Sequence, residues 1–253
     1  MPQTTTSNPP GSSATPGGIV SVQAGGTGSF ANSIGVNTHI DSGYPNWENA
    51  SVVEAEIAYL GVKNVRDGTP YDWALPIYVG LAKTGVRFDL TQENPTAAAL
   101  TTIGSLQDTQ RADTLEHAVP GSVESLEGAN EYNISSYNLG TLNSYSNLAW
   151  GALDDQNLQA AVAADPLLTA AGVLVVAAST SGPTSIPVVG PYVGASNWHV
   201  YGGVGQQLAD SMAAGVAAAK TSAPGKPVYV TETGISTSGY ASSFWGVADQ
   251  YME

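Results

Sequence analysis

One hydrophobic pattern recurs along the chain: an apolar, amphipathic stretch ends at a glycine, and a short apolar run follows at once. It is clearest around Gly61, Gly85 and Gly172, each of which precedes a valine that opens a β-rich run. A glycine just past a helix end readily takes the left-handed conformation that terminates the helix. Short apolar runs of this kind are typical of buried parallel strands. The pattern therefore predicts helices and parallel strands in alternation.

Extended to the whole chain, the pattern predicts seven strand–helix units. The predicted strands are residues 34–38, 62–66, 86–90, 123–127, 173–177, 197–200 and 228–231. The predicted helical segments are residues 49–60, 73–83, 97–117, 144–164, 206–220 and 242–252. Strict alternation of this kind implies right-handed crossovers and a parallel α/β sheet.

Seven units fit a TIM-type (β/α)8 barrel that is incomplete at its C-terminus better than they fit a doubly wound sheet. A barrel of this type closes with eight strands. Three explanations for the missing strand are open: the chain is cut short, residues 19–22 form an unrecognised strand, or the sheet is open. An unclosed barrel leaves strand edges unpaired, so self-association through such an edge is expected.

Residues 1–18 differ in composition from the rest of the chain. They are mainly Ser, Thr, Pro and Gly, without the basic start or the apolar segment of a signal peptide. We predict a flexible leader over residues 1–18 and one catalytic barrel domain over residues 19–253. Because such leaders often follow a removed export signal, we expect a secreted or periplasmic location. No apolar run approaches the roughly 18–20 residues of a membrane-spanning helix.

Composition narrows the classes of partner and chemistry. Among 253 residues, 7 are basic and 21 are acidic, which gives a net charge of −14. Binding to nucleic acid or to an anionic membrane surface rests on clustered Lys and Arg, so neither partner is expected. The lack of cysteine excludes thiolate catalysis and Cys-ligated metal centres. The three histidines are too far apart in the sequence for a local metal motif, and we expect neither a metal nor another cofactor.

Polar side chains collect at the carboxyl ends of the predicted strands, where barrels of this type place their chemistry. Glu131 follows strand four, and Glu232 ends strand seven. Two carboxyl groups across a barrel mouth suit glycosidic bond cleavage, because one donates a proton while the other attacks the anomeric carbon. A separation of about 5–5.5 Å gives retention of configuration, and roughly 6.5–9.5 Å gives inversion. Asp89 and Glu93 are weaker candidates for these acids.

Five short segments, in the correct order, resemble the retaining glycoside hydrolases of clan A. Residues 127–131 (Glu-Gly-Ala-Asn-Glu) resemble the strand-four signature in which Asn-Glu carries the acid/base, and residues 228–234 resemble the strand-seven segment that carries the nucleophile. Residues 198–201 (Trp-His-Val-Tyr) are similar to the His-x-Tyr of strand six. Residues 35–39 and 62–67 resemble the first two strands of family-39-like and family-5-like members. The resemblance implies a (β/α)8 barrel that lacks its eighth unit.

The same resemblance implies the roles of three residues. Glu131 would act first as general acid and then as general base. Glu232 would be the nucleophile that forms the glycosyl-enzyme. Asn130 would hydrogen-bond the 2-hydroxyl of the sugar.

Four further residues are implied to support this pair. Arg66 and Tyr201 would keep Glu232 ionised and oriented, because a cation or a hydroxyl beside a carboxylate favours its charged form. His39 and His199 would contact the substrate or the acid/base residue. Structural roles remain open for both histidines, and Arg66 has Asp67 as an alternative partner.

Sugar rings present C–H groups that stack on aromatic faces, so aromatic residues in the predicted loops are candidates for substrate binding. Tyr132 is the first choice because it directly follows Glu131. The full set of candidates is Tyr44, Trp47, Tyr71, Trp73, Tyr132, Tyr137 and Trp198. The aromatic residues of the predicted helices are expected in the core; they are Tyr59, Trp150 and Trp245.

The sequence thus predicts a retaining glycoside hydrolase that acts on a neutral, β-linked polysaccharide or oligosaccharide. The scarcity of charged residues, 11% of the chain, disfavours strongly anionic polysaccharides as substrates. The missing eighth strand leaves an alternative open: a non-catalytic carbohydrate-binding or assembly protein that retains a degenerate glycosidase barrel.

Overall fold

A five-stranded parallel sheet forms the larger part of the fold. The computed structural model describes residues 27–45, 47–92, 102–133, 147–180, 187–201 and 208–234. The five strands are β1 (Gly35–Asn37), β2 (Asn64–Gly68), β3 (Arg87–Gln92), β4 (Val123–Ala129) and β5 (Leu174–Val176). They lie side by side in the order of the sequence, and every neighbouring pair is parallel.

The sixth and seventh strand positions are each divided into two short pieces. The sixth position comprises β6 (Ser196–Asn197) and β7 (Val200–Tyr201), and the seventh comprises β8 (Val228–Tyr229) and β9 (Thr233–Gly234). β6 pairs with β8 and β7 pairs with β9, all in parallel. A bridge between Val176 and Ala195 joins the sixth position to β5. The predicted order of seven parallel strands is confirmed, whereas the predicted continuity of the last two is wrong.

Seven helices connect the strands in the described residues: α1 (Thr27–Ala31), α2 (Ala50–Leu60), α3 (Leu75–Lys83), α4 (Thr102–Ala118), α5 (Asn147–Ala164), α6 (Pro166–Ala171) and α7 (Leu208–Ser222). Gly61 and Gly172 are left-handed and end α2 and α6, as the pattern predicts. α1 and α6 are not among the predicted helical segments, although the pattern does predict a helix end at Gly172. α6 starts afresh after α5 because the Asp165 side chain accepts the amides of Leu167 and Leu168.

The main core lies between the sheet and its helices. From the strands it takes Val65, Phe88, Leu90, Leu126 and Val175, and from the helices Ile57, Leu81, Leu115, Leu158 and Leu168. Burial of each such side chain stabilises the fold by roughly 1.5–3 kcal/mol. The apolar faces of the strands are buried in this core. The polar residues at the carboxyl ends of the strands are therefore available to the barrel interior.

The described strands form a TIM-type barrel that is incomplete. Within the described ranges, no strand lies between β9 and β1, where an eighth strand would close the barrel. The predicted leader at residues 1–18, the spare strand at 19–22 and the last helix at 242–252 fall outside those ranges. None of the helices in the described part is both long enough and apolar enough to cross a membrane.

Candidate active site

Three neighbouring strands place ionisable side chains on one face of the sheet. Arg66 of β2 is in register with Asp89 of β3, and Asp89 with Ser125 of β4. Glu127 lies two residues after Ser125 and therefore on the same face. Arg66 donates through Nε and Nη2 to the two carboxylate oxygens of Glu127, both at 2.8 Å. This bidentate pair lies inside the barrel, where the Glu127 side chain has no exposed surface.

The Arg66–Glu127 pair sets the charges of its surroundings. Burial alone would raise the pKa of Glu127, but the adjacent guanidinium and the His199 contact hold it well below its ordinary value. The pKa of Asp89 is raised by burial and by the neighbouring negative charge of Glu127. Asp89 also accepts a hydrogen bond from Ser125 Oγ at 2.6 Å. Glu127 is therefore the charged member of the two acids, and Arg66 is neutralised by it.

Glu131 follows β4 and has an unusual backbone conformation. Its φ is +43°, in the left-handed region that side-chain-bearing residues seldom occupy. Its amide donates to Ser179 Oγ at 2.9 Å. The preceding Asn130 accepts from Arg66 Nη2 through Oδ1 at 2.8 Å. Asn130 therefore contacts the interior cation, and the Glu131 side chain contacts His199.

Glu232 lies between β8 and β9, and both of its carboxylate oxygens have partners. Arg66 Nη1 is 3.2 Å from Oε2, and the Tyr201 hydroxyl donates to Oε1. Burial and the charge of Glu232 raise the pKa of Tyr201, so the hydroxyl keeps its proton and remains a donor. The side chain of Glu232 is one quarter exposed. It is thus both held in position and open to solvent.

His199 connects the two glutamates. Its Nδ1 lies 3.1 Å from Glu131 Oε1 and 3.6 Å from Glu232 Oε2. Its Nε2 lies 3.2 Å from Thr231 Oγ1, and that hydroxyl itself donates to Asn197 Oδ1 at 3.0 Å. The Thr231 oxygen therefore accepts, and Nε2 carries a hydrogen. Burial would lower the pKa of His199, but its contacts with Glu127 and Glu131 raise it.

The two glutamates and the histidine converge on one small volume. One carboxylate oxygen of Glu131, one of Glu232 and one ring nitrogen of His199 all lie within 4.8 Å of one another. Such spacing would also fit a metal ion. The contacts of Glu232 disfavour metal binding, because Arg66 and Tyr201 already donate to both of its carboxylate oxygens and the guanidinium charge repels a cation.

Two of the residues predicted to bind substrate are buried. Tyr132 is only 3% exposed, and its ring packs against Gly151 of α5, so it is a core residue and not a stacking surface. Trp198 is likewise buried, against Gly215 of α7. His39 is exposed, and its ring meets the Trp47 ring edge-on at 6.2 Å between centroids.

The partner of Arg66 is Glu127 and not the adjacent Asp67. Successive strand residues point to opposite faces, so Asp67 turns away from the interior. There it accepts hydrogen bonds from the Thr38 hydroxyl and, at 2.8 Å, from the amide of Ile40. Burial raises its pKa to about 7.

The aromatic candidates divide into exposed and buried sets. Tyr44 and Trp73 are 63% and 47% exposed in the loops after β1 and β2. Tyr71 lies beside them in sequence, with the Arg111 guanidinium 4.2 Å from its ring centre. Trp150 is buried as predicted, whereas Tyr59 is 91% exposed and the expectation of a core role is wrong. Tyr137, Trp245 and the candidate acid Glu93 lie outside the described residues.

Sequence reasoning missed Glu127 and Ser179 as members of the site. Glu127 carried a usable signal, because a carboxylate inside a predicted buried strand requires a cationic partner and Arg66 was available two strands away. Ser179 stands at the carboxyl end of predicted strand five, but its contact with the Glu131 amide could not be predicted, because the contact depends on how the loops after β4 and β5 approach each other.

Comparisons with known proteins agree on the fold. No protein-family profile and no curated protein matches the chain. Among solved structures, a β-1,3-glucanase and allergen of Cryptomeria japonica pollen has a TM-score of 0.58 at 15% identity, over 87% of this chain and 82% of that one. A structure of plant β-glucan endohydrolases with distinct substrate specificities has a TM-score of 0.53 at 16% identity, and the alignment covers 77% of this chain and 75% of the plant enzyme.

A bacterial enzyme gives a similar result. A GH39 β-xylosidase from Caulobacter crescentus has a TM-score of 0.56 at 15% identity, and the alignment covers 82% of this chain but only 55% of the xylosidase. Identities this low establish shared architecture and nothing finer. The chain therefore shares the barrel architecture of these glycoside hydrolase structures, the fold that its sequence predicts.

Proposed function

We propose that the protein is a retaining glycoside hydrolase, with Glu131 as acid/base and Glu232 as nucleophile. The observation that carries the proposal is the approach of the two carboxyl groups, whose nearest oxygens lie within 4.8 Å of each other. Such a close approach supports double displacement, for which carboxyl groups stand roughly 5–5.5 Å apart, over inversion, for which they stand roughly 6.5–9.5 Å apart. Both side chains are partly exposed at the carboxyl ends of strands, where substrate has access.

In the first step, Glu232 attacks the anomeric carbon and the bond from that carbon to the leaving oxygen breaks. Glu131 gives its proton to that oxygen, and a covalent glycosyl-enzyme remains. In the second step, water attacks the same carbon, Glu131 takes a proton from it, and Glu232 leaves as a carboxylate. Arg66 and Tyr201 donate to the two oxygens of Glu232 and so hold the carboxylate in the position from which it attacks.

His199 orients the carboxyl group of Glu131. Its Nε2 hydrogen is donated to Thr231, so only Nδ1 faces Glu131. While the pair holds one proton, either as imidazole with carboxylic acid or as imidazolium with carboxylate, a hydrogen bond between Nδ1 and Oε1 fixes the direction of the Glu131 side chain.

The proposed substrate is a neutral, β-linked polysaccharide or oligosaccharide. The structural neighbours are named as a β-1,3-glucanase, β-glucan endohydrolases and a β-xylosidase. The net charge of −14 disfavours anionic chains. A polymeric substrate is consistent with the proposed secreted or periplasmic location.

The direct test measures hydrolysis and its stereochemistry. Wild-type protein should release reducing ends from one of a β-1,3-glucan, a mixed-linkage β-glucan or a xylan, and proton NMR should show the β-anomer first. Glu131→Gln and Glu232→Gln should each lower turnover by at least about 10³-fold with unchanged melting temperature. Full activity in either variant, or the α-anomer as first product, would reject the assignment.

A second candidate is a carbohydrate-binding protein without catalysis. It is favoured by the absence of a closing strand between β9 and β1 in the described part of the chain, together with the exposed Tyr44 and Trp73. Retarded migration in gels that contain a β-glucan, without release of reducing ends, would establish it. The unpaired edge also supports self-association as a proposal, which sedimentation velocity tests directly.

A further inference from the structure

Two consecutive aspartates of α5 reach the ends of two different strands. Asp154 Oδ2 accepts the amide of Ala129, the last residue of β4, at 2.8 Å. Asp155 Oδ1 accepts the amide of Ala178, which follows β5, at 2.8 Å. Both side chains are essentially without exposed surface. A helix behind the sheet thus holds the two strands at the edge where they enter the active-site loops.

The contact is tight enough to exclude a side chain at Gly128. A Cβ there would lie 2.7 Å from Asp155 Oδ1, 2.9 Å from Asp154 Oδ2 and 2.9 Å from the Ala178 nitrogen. Glycine at this position lets both carboxylates approach the backbone. Burying two acidic groups completely costs free energy. This cost indicates that the hydrogen bonds from the strand ends to these two groups have a specific structural role.

Ser179 extends the same arrangement to the acid/base residue. Its hydroxyl accepts the amide of Glu131 at 2.9 Å, its own amide donates to Ala129 O at 3.1 Å, and its carbonyl accepts from Tyr132 at 3.3 Å. The backbone on both sides of Glu131 is therefore fixed. The left-handed conformation of Glu131 needs such support, because it is unfavourable for a residue with a side chain.

We propose that Asp154, Asp155 and Ser179 are positioning residues that set the direction of the Glu131 carboxyl group by holding the backbone around it. The inference rests on the proposed function for its kinetic consequence. It predicts that loosening this support impairs proton donation more than it impairs binding or folding.

The test uses substrates that differ in their need for an acid. A phenyl β-glycoside needs a proton on its leaving oxygen, whereas a 2,4-dinitrophenyl β-glycoside scarcely does. Ser179→Ala and Asp154→Ala should lower kcat/KM for the phenyl substrate by about 10- to 100-fold and for the dinitrophenyl substrate by less than about threefold. Ser179→Ala removes a single oxygen, and it carries the test alone if Asp154→Ala does not fold.

Matched controls lie at the opposite end of β4. Glu116 is also a buried acid, and it accepts the amides of Gly121 at 2.6 Å and Val123 at 3.0 Å. Ser122 is a buried serine of the same region. Glu116→Ala and Ser122→Ala should lower the melting temperature but leave the ratio of the two kcat/KM values unchanged. Equal losses on both substrates in Ser179→Ala, or no loss on either, would overturn the proposal.

A measurement without turnover separates this inference from the proposed function. Hydrogen exchange followed by NMR should show the Glu131 amide exchanging at least about tenfold faster in Ser179→Ala than in wild type, with no change in Ser122→Ala. If no substrate is hydrolysed but this difference appears, the proposed function fails and the support of Glu131 stands. If Glu131 exchange is unchanged, the support itself is absent.

Discussion

The guanidinium of Arg66 lies 3.2 Å from the carboxylate of Glu232, although 166 residues separate the two in sequence. The contact links the second strand position to the seventh across the barrel interior. The same guanidinium is neutralised by a different carboxylate, Glu127, at 2.8 Å. Arg66 is therefore a fixed donor to Glu232, and its position is set by the bidentate pair with Glu127.

Replacement of Arg66 by lysine should lower kcat by about 10²-fold, because an ammonium group cannot bind Glu127 through two parallel hydrogen bonds and still reach Glu232. Steady-state kinetics on an aryl β-glycoside measures the effect. Arg87→Lys is the control, since Arg87 forms an exposed pair with Glu124 at 3.2 Å. Wild-type kcat in Arg66→Lys would contradict the role assigned to this donor.

Tyr201→Phe removes the hydroxyl that donates to Glu232. A hydrogen bond to a charged group contributes about 1.5–3 kcal/mol, so kcat/KM should fall by about 10- to 150-fold. Steady-state kinetics on an aryl β-glycoside measures this loss, and wild-type kcat/KM in Tyr201→Phe would contradict the role of the contact. Tyr78→Phe, which loses a buried hydrogen bond to Gly68 O of 2.9 Å, should lower stability without lowering kcat/KM.

Stability should fall as the pH rises from about 5 to 8. Burial raises the pKa of Asp67 and Asp154 to about 7 and that of Asp108 to about 6. Between their unfolded and folded pKa values these acids are protonated in the folded state and ionised in the unfolded state, so stability present at low pH is lost. The raised pKa of His199 acts in the same direction.

The lowered pKa of Glu127 has the opposite sign, and its contribution is lost only as the pH falls below the ordinary value of 4.5. Because the raised acids start to lose their contribution near the ordinary Asp pKa of 3.8, the melting temperature should be highest at or below about pH 4 and should drop by at least about 5 °C between pH 5 and pH 8. Asp154→Asn removes one titrating group and should make the drop smaller. A melting temperature that rises steadily from pH 5 to 8 would contradict the charge assignments.

The exposed aromatic residues of the first two loops should bind sugar units beyond the cleavage point. The two loops touch, since a Cβ on Gly43 would lie 3.6 Å from the Trp73 ring. Trp73→Ala and Tyr44→Ala, each combined with Glu232→Gln, should weaken binding of a hexasaccharide by about tenfold in calorimetry. Tyr59→Ala, on the exposed face of α2, is the control. Equal affinity in all variants would exclude these loops.

The order of strands and helices was predictable because its signals are local. A glycine after an amphipathic stretch and a short apolar run are each read within a few residues. α6 was not predicted as a separate helix, although Asp165 and Pro166 form a recognisable helix start. The breaks within the sixth and seventh strand positions had no such local signal.

The site was predictable only in part. Strand ends place Glu131 and Glu232 at one edge, but their separation depends on how far the sheet curls, which no local pattern encodes. Tyr132 shows the limit most clearly. Its adjacency to Glu131 suggested a shared cavity, yet the turn at Glu131 sends the next side chain into the packing against Gly151.

The left-handed backbone of Glu131 has a consequence for attempts to make the protein more heat-resistant. A glycine or asparagine at this position would relieve conformational energy, so a screen for thermal tolerance alone would favour a substitution that removes the proposed acid/base group. Selection for thermal stability and selection for activity therefore favour different residues at this one position.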